Sequence, residues 1–299
     1  MPGNCDVTWK RWNGCDKEAC LKSASPAGTP FIMCGTDLDD PLTIACLVGQ
    51  AVVYSHRSIA EHKTNEDALG VFDWGDGKLL LAVADGVGGL PGGAAAARRV
   101  IETLRNAPAG EHEDPVGYLL DYANDSIRQN QSIGATTLSA VLIQNKRFTS
   151  YHAGDSTTLV VGQRGRIKFQ SVCHSPVGVA QARGELSERA ALFHPQRHLV
   201  SNMVGNEAFW VERSACYELA TFDTIVIASD GLWDNFFSDE IIEIVRQGPL
   251  AQVGRRLARS TRQRMFMAED NVPSKPDDLS FVLYRRQQAR DTSNSIVCR

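Results

Sequence analysis

The chain has 299 residues, 43% of them hydrophobic and 22% charged, a profile that excludes disorder and fibrous architecture and suits one large or two ordinary globular domains. Lys and Arg number 31 against 35 Asp and Glu, a net charge of -4, so bulk electrostatics draws the chain neither to nucleic acid nor to an anionic membrane. Its longest apolar runs, such as Leu79 to Ala84 and Thr224 to Ala228, fall far below the ~20 residues that span a bilayer, and Met1 to Cys20 carries no run of signal-peptide type, so the expected compartment is the cytoplasm.

From Met1 to about Pro41 the chain mixes Pro, Gly, Ser and Cys without a sustained period, and residues 1–43 read as an irregular N-terminal extension. Five of the eight cysteines, Cys5, Cys15, Cys20, Cys34 and Cys46, lie in the first 46 residues without a C-x-x-C pair. That spacing argues for reduced structural thiols and against a zinc ribbon or a redox motif. A folded domain is expected over residues 44–286, with a short tail at 287–299.

Within that domain Ile44 to Tyr54 is strand-like, and Ala68 to Phe72 and Lys78 to Ala84 flank Asp73-Trp74-Gly75-Asp76-Gly77 as a hairpin. A turn centred on Gly75 sets Glu66 opposite Ala84 and Asn65 opposite Asp85. Two helices follow. Ala97, Val100, Ile101 and Leu104 share one face, and Val116, Leu119, Leu120, Ala123 and Ile127 repeat the pattern after Asp114-Pro115, a good cap and first-turn pair. Thr136 to Ile143, Phe148 to Ala153, Thr157 to Val161 and Arg166 to Val172 read as an antiparallel meander. The stretch from His174 to His198 breaks that pattern; Tyr217 to Leu219 and Thr224 to Ala228 resume it, helical segments run from Ser238 to about Met265, and Ser280 to Tyr284 closes the domain. Grouped antiparallel strands with helices between them predict an α+β fold in layers, not a doubly wound parallel sheet.

Two apolar strands end alike, in Ala84-Asp85-Gly86 and in Ala228-Ser229-Asp230-Gly231, and Asp277-Asp278 stands just before the last strand. Since the start of one antiparallel strand lies beside the end of its neighbour, all three acids can share one rim, with Glu66 and Asp67 joining through the hairpin. Asp155 sits in the turn Ala153-Gly154-Asp155-Ser156, its end of the sheet left open. Converging carboxylates repel and are tolerated when divalent cations neutralise them; oxygen ligands without His or Cys favour Mg²⁺ or Mn²⁺ over zinc. Two such ions leave Asp85, Asp230 and Asp277 with a small positive balance suited to a phosphate, the logic of two-metal hydrolysis.

At these residues the sequence resembles the metal-dependent protein phosphatases, the type 2C or PPM family. Six segments match in order: Asn65-Glu66-Asp67-Ala68, Ala84-Asp85-Gly86-Val87-Gly88-Gly89, Gly134-Ala135-Thr136-Thr137, Ala153-Gly154-Asp155-Ser156, Ser229-Asp230-Gly231-Leu232-Trp233-Asp234 and Asp277-Asp278-Leu279-Ser280. Val87 after Asp85-Gly86 looks like the bacterial branch. The resemblance implies an α-β-β-α sandwich of two packed antiparallel sheets, and a serine/threonine phosphoprotein phosphatase whose substrates are targets of a cognate kinase. It implies two Mg²⁺ or Mn²⁺ ions and a third, weaker one. Asp85 would bridge the first two, Gly86 would bind one through its carbonyl, Asp230 and Asp277 the other, Glu66 would act through water, and Asp155 with Asp230 would hold the third. A hydroxide bridging the ions would attack phosphorus in line, with no covalent phosphoenzyme. The segment from Cys173 to Pro195 looks like the family's variable flap.

Two departures stand out. The family usually carries an Arg before Asn-Glu-Asp to hold the substrate phosphate; here the nearest residues are His62 and Lys63, poorer bidentate clamps, with Arg57 further upstream as the slightly favoured candidate. Val87 replaces the proton-donating His of eukaryotic members, so the leaving group would take its proton from water.

Rival readings are weaker. Cys5 and Arg11 have C-x5-R spacing, yet the intervening residues are bulky and glycine-free. The run Gly86 to Gly93 lacks the order of a nucleotide loop and suits a close turn into a helix. His194 and His198 lack a third ligand, and Arg255, Arg256, Arg259, Arg262 and Arg264 fit a solvated helix face. A two-metal nuclease is disfavoured by the acidic charge. A phosphoprotein-binding module that kept the fold and lost turnover is the alternative, favoured only by the missing Arg.

Overall fold

The computed structural model describes residues 29–286 apart from 47, 60–63, 89, 90, 131 and 268. Its first strands are β1 (Phe31–Cys34), β2 (Leu42–Cys46), β3 (Gly49–His56), β4 (Ala68–Gly75) and β5 (Lys78–Ala84). Helices α1 (Gly93–Thr103) and α2 (Pro115–Arg128) follow, then β6 (Leu138–Gln144), β7 (Arg147–Ala153), β8 (Thr157–Val161) and β9 (Ile167–Gln170). Next come α3 (Pro176–Ala182), α4 (Glu188–Leu192), β10 (Glu212–Arg213), β11 (Tyr217–Glu218) and β12 (Thr224–Ala228). The chain ends through α5 (Asp230–Trp233), α6 (Ser238–Val245), α7 (Leu250–Phe266) and β13 (Leu279–Arg285).

Among the described residues these form a seven-stranded sheet, β1-β4-β5-β6-β7-β10 with β11 also on β7, and a six-stranded sheet, β2-β3-β13-β12-β8-β9, antiparallel throughout. Because side chains alternate along a strand, β4 and β5 feed two cores at once: Leu69, Val71, Leu81 and Val83 pack between the sheets, while Ala68, Phe72, Leu80 and Ala82 pack under α1 and α2. That double burial explains why these antiparallel strands read as unbroken apolar runs. On the other side α6 and α7 cover the six-stranded sheet, with Leu257 and Val253 joining the inter-sheet cluster. The layers are therefore α-β-β-α, as the family resemblance implies. The Asp114 side chain accepts the Gly117 N–H at 3.2 Å and Pro115 opens α2, the cap expected from sequence.

Several expectations are corrected. The ordered sheet begins before residue 44: β1 pairs with β4, Phe31 opposite Val71, so residues 31–43 belong to the domain, their weak period masked by the short strand length. Ile44 to Tyr54 is not one strand but parts of the hairpin β2–β3, turning before Gly49. The four middle strands do not make one meander. β6 and β7 lie in the seven-stranded sheet, and the chain then crosses to the other sheet, where β8 pairs with β12. The hairpin register is shifted: a bulge between Asp73 and Gly75 and a two-residue turn at Asp76-Gly77, both with positive φ, place Ala84 opposite Ala68. Continued past the strand ends, that register sets Asp85 opposite Asp67 instead of Asn65. The stretch from His174 to His198 contains α3 and α4. Residues 1–28, with Cys5 and Arg11, lie outside the described residues, as do His62, Lys63 and Gly89.

Candidate active site

One rim collects the ends of strands from both sheets. β5 delivers Asp85, β12 delivers Asp230 at the start of α5, and Asp277-Asp278 precede β13, whose Phe281 faces Ala228. Asp155 stands where the chain crosses from β7 to β8. Two glycines permit the close approach. A Cβ on Gly86 would lie 2.4 Å from the Gly93 carbonyl carbon, and one on Gly231 would lie 1.9 Å from the Asp278 carbonyl oxygen. Gly86 and Gly93 thus meet closely at the entry into α1.

The supporting residues fix the acids by hydrogen bonds. Thr136 Oγ1 and the Thr137 N–H both donate to the Asp85 carbonyl, at 2.7 and 2.8 Å, and the Val87 N–H donates to the Ala135 carbonyl, so this bridge does not consume the carbonyl of Gly86. Asp278 accepts the Ser58 N–H at 2.6 Å on Oδ1 and the Glu66 N–H at 2.7 Å on Oδ2, holding both residues to the rim. Asp67, 1% exposed, accepts Ser229 Oγ at 3.1 Å on Oδ2. Ser229, Ser280, Ser55 and Asn65 continue as a buried network behind it.

On the outer side, Lys275 Nζ meets Asp230 Oδ2 at 2.5 Å, Asp234 Oδ2 at 2.9 Å and Asp277 Oδ2 at 3.0 Å. Burial and the fields of Asp67, Asp230, Asp277 and Asp155 push the Asp85 carboxyl well above its ordinary range. Asp155 is pushed up to about 8 by burial and Asp230, against the pull of Lys275, and Asp277 up to about 7 by burial and Asp230. Burial by itself would lower the Lys275 ammonium, but Asp230, Asp234 and Asp277 outweigh it and hold the charge. Beside the cage a cavity of 320 Å³, lined by Asp155, Asp230, Asp234, Cys173, Arg197 and Trp233 among others, opens under α3 and α4.

A divalent ion suits this donor set. Asp230 Oδ1 and Asp67 Oδ1 are buried without a hydrogen-bond partner among the described residues. Such oxygens, crowded with raised carboxyls, match a hard cation.

The structure brings Asp85, Asp155, Asp230 and Asp277 together. It places Arg57 on the same rim, since His56 faces Leu279, but its Nε pairs with Asp37 Oδ2 at 3.2 Å. Sequence reasoning misses Lys275, gives Asp234 no role, and sets Asp67 on the rim without naming it a ligand. A lysine two residues before Asp277 was the available signal, but nothing local distinguishes it from a solvated loop lysine.

The family model for protein phosphatase 2C matches residues 55–270. The chain belongs to that family. It is 25% identical, over 247 residues, to a serine/threonine phosphatase stp of Listeria monocytogenes, covering 77% of this chain and 94% of that protein. Its fold matches the serine/threonine phosphatase Stp1 of Staphylococcus aureus with a TM-score of 0.68 at 23% identity, covering 85% of this chain and 97% of that one. It also matches the catalytic domain of the serine/threonine phosphatase PstP, solved with 2 manganese ions, with a TM-score of 0.64 at 21% identity, over 81% of this chain and 99% of that one. Among the described residues no helix is long and apolar enough to cross a membrane.

Proposed function

We propose that the chain hydrolyses phosphoserine and phosphothreonine on proteins in a reaction that depends on divalent metal, Mg²⁺ or Mn²⁺. The observation that carries this is the buried, unpartnered Asp230 Oδ1 within a cluster that also holds Asp85 and Asp277, on the fold of a phosphatase family. Asp85, the Gly86 carbonyl, Asp230 and Asp277 are the residues assigned to two ions, with Glu66 acting through water. When bound, such ions supply Lewis-acid charge and a water of lowered pKa. That the PstP catalytic domain holds two manganese ions supports the count.

The chain's own residues position the rest. Asp278 fixes the backbone at Ser58 and at Glu66. Arg57 is the residue assigned to the substrate phosphate, released from Asp37 when a dianion offers two better acceptors; that ion pair is half-exposed, so the exchange is cheap. Val87 bears no titratable group, so the leaving oxygen takes its proton from solvent. The substrates are the phosphorylated targets of a serine/threonine kinase, and the flap helices α3 and α4 over the cavity select among them.

Turnover of p-nitrophenyl phosphate and of a phosphothreonine peptide, with Mn²⁺ and with EDTA, tests the reading. Activity that needs metal and falls by at least ~10³-fold in Asp85→Ala and Asp230→Ala is expected from the loss of a charge that organises the reacting centre. Metal binding without turnover would instead support the phosphoprotein-binding module.

A further inference from the structure

We propose that the ammonium group of Lys275 is a built-in cation at the outer edge of the carboxylate cage, taking the place of a third divalent ion, so that the chain binds two metal ions and not three. This rests on the metal-dependent reading above.

Lys275 Nζ lies within 3.0 Å of a carboxylate oxygen from each of Asp230, Asp234 and Asp277 and donates a hydrogen bond to Asp230 Oδ2. Its side chain is 20% exposed. Asp230 is thereby divided: Oδ2 serves the lysine, while the buried Oδ1 is left to an ion on the inner side.

The lysine is held where it stands. Asn235, fully buried, accepts the Lys275 N–H on Oδ1 at 2.8 Å and donates from Nδ2 to the Lys275 carbonyl at 2.9 Å, and the same Nδ2 reaches the Gly231 carbonyl at 2.9 Å. One amide therefore ties the lysine's backbone to the turn that carries Asp230. Pro276 restricts Lys275 to extended backbone, and Ser274 Oγ donates to the Arg264 carbonyl at 2.8 Å, anchoring the loop to α7. Moving the ammonium away would need a side-chain swing that abandons three carboxylates, not a drift of a loose loop.

Of Asp155 and Asp230, assigned by resemblance to a third ion, the ammonium contacts Asp230 directly and reaches Asp155 through its field alone. Oxygen ligands bind Mg²⁺ at ~2.0–2.1 Å, so an ion on Asp230 Oδ2 would stand close against a positive charge already 2.5 Å from that oxygen. Repulsion between the two excludes joint occupancy at ordinary metal concentration. The lysine does the ion's electrostatic work, neutralising acids that the fold has crowded together, without depending on the metal supply.

The test counts ions. The full chain is stripped with EDTA and titrated with Mn²⁺ by calorimetry, with equilibrium dialysis as the independent count. Wild type is expected to take up two ions, and Lys275→Met, which keeps the length and removes the charge, three. The added ion should bind at least ~10-fold more tightly than any weak further event in wild type, the scale on which neighbouring groups tune a metal site. It should vanish when Asp155→Asn is combined with Lys275→Met. Three ions in wild type, or two in both wild type and Lys275→Met, overturn the proposal. Should Lys275→Met fail to fold, Asp155→Asn alone decides: two ions retained supports it, and loss of an ion from the wild-type count overturns it. Wild type that binds no Mn²⁺ overturns the metal-dependent reading itself, and the lysine proposal with it.

Discussion

His174 and Gly154 are joined twice: the His174 N–H donates to the Gly154 carbonyl at 2.8 Å, and the Gly154 N–H donates back to His174 Nδ1 at 3.2 Å. An amide can only donate, so Nδ1 is unprotonated and the ring proton sits on Nε2, directed at Glu212 Oε2 at 3.0 Å. The imidazole packs between His152 and Trp210, at centroid distances of 4.0 and 4.3 Å. His174 opens the flap and Gly154 precedes Asp155, so this one ring fastens the flap to the point where the chain changes sheets.

His174→Ala should therefore cost about 1–3 kcal/mol of stability, the penalty for leaving buried partners unsatisfied, and lower turnover on phosphopeptides more than on p-nitrophenyl phosphate. Urea melts and paired kinetics check it. His174→Asn, which keeps an acceptor near the Nδ1 position, should recover part of both; equal loss in the two variants would contradict the assigned tautomer.

The carboxyl cluster makes stability without metal fall as pH rises. Asp155 and Asp277 are raised from an ordinary value near 3.8 to about 8 and about 7, so the folded chain holds protons that the unfolded chain has released. Their stabilising contribution is complete below about pH 4 and is lost as pH climbs through 7 to 8. In EDTA the melting temperature should drop between pH 5 and pH 8, less steeply in Asp155→Asn. The rise on adding Mn²⁺ should be larger at pH 8 than at pH 5, because fewer protons compete with the ion. A metal-induced shift that is larger at pH 5 would contradict this.

Removing Asp278 should loosen the backbone it holds at Ser58 and Glu66. Each N–H it accepts is a charge-assisted bond of about 1.5–3 kcal/mol, discounted here because the carboxylate is only partly buried. Asp278→Ala should cost about 2–4 kcal/mol in urea unfolding and raise KM for phosphopeptide. An unchanged KM would show that the placement of Arg57 and Glu66 does not depend on this residue.

Gly231→Ala should be more severe than any single loss of a metal-facing acid, since the added carbon would stand 1.9 Å from the Asp278 carbonyl oxygen and backbone has nowhere to retreat. A loss of about 3 kcal/mol or more, or failure to accumulate soluble protein, is expected. A variant that melts like wild type would mean that α5 and the approach to β13 can separate freely.

The chain's own order of residues determined the layer class, the cap of α2, the strands β5 and β12 and the delivery of an Asp from each, because period and turn chemistry act over a few neighbouring positions. Only the tertiary structure decided the rest. The bulge that shifts Asp85 onto Asp67, the crossing of β8 into the second sheet, the pairing of Arg57 with Asp37, and the seating of Lys275 among three acids all join residues distant along the chain or change a count by one. Such pairings are selected by burial and charge balance in the assembled rim, where the partner 45 positions away in the chain, from Asp230 to Lys275, is nearer than most sequence neighbours.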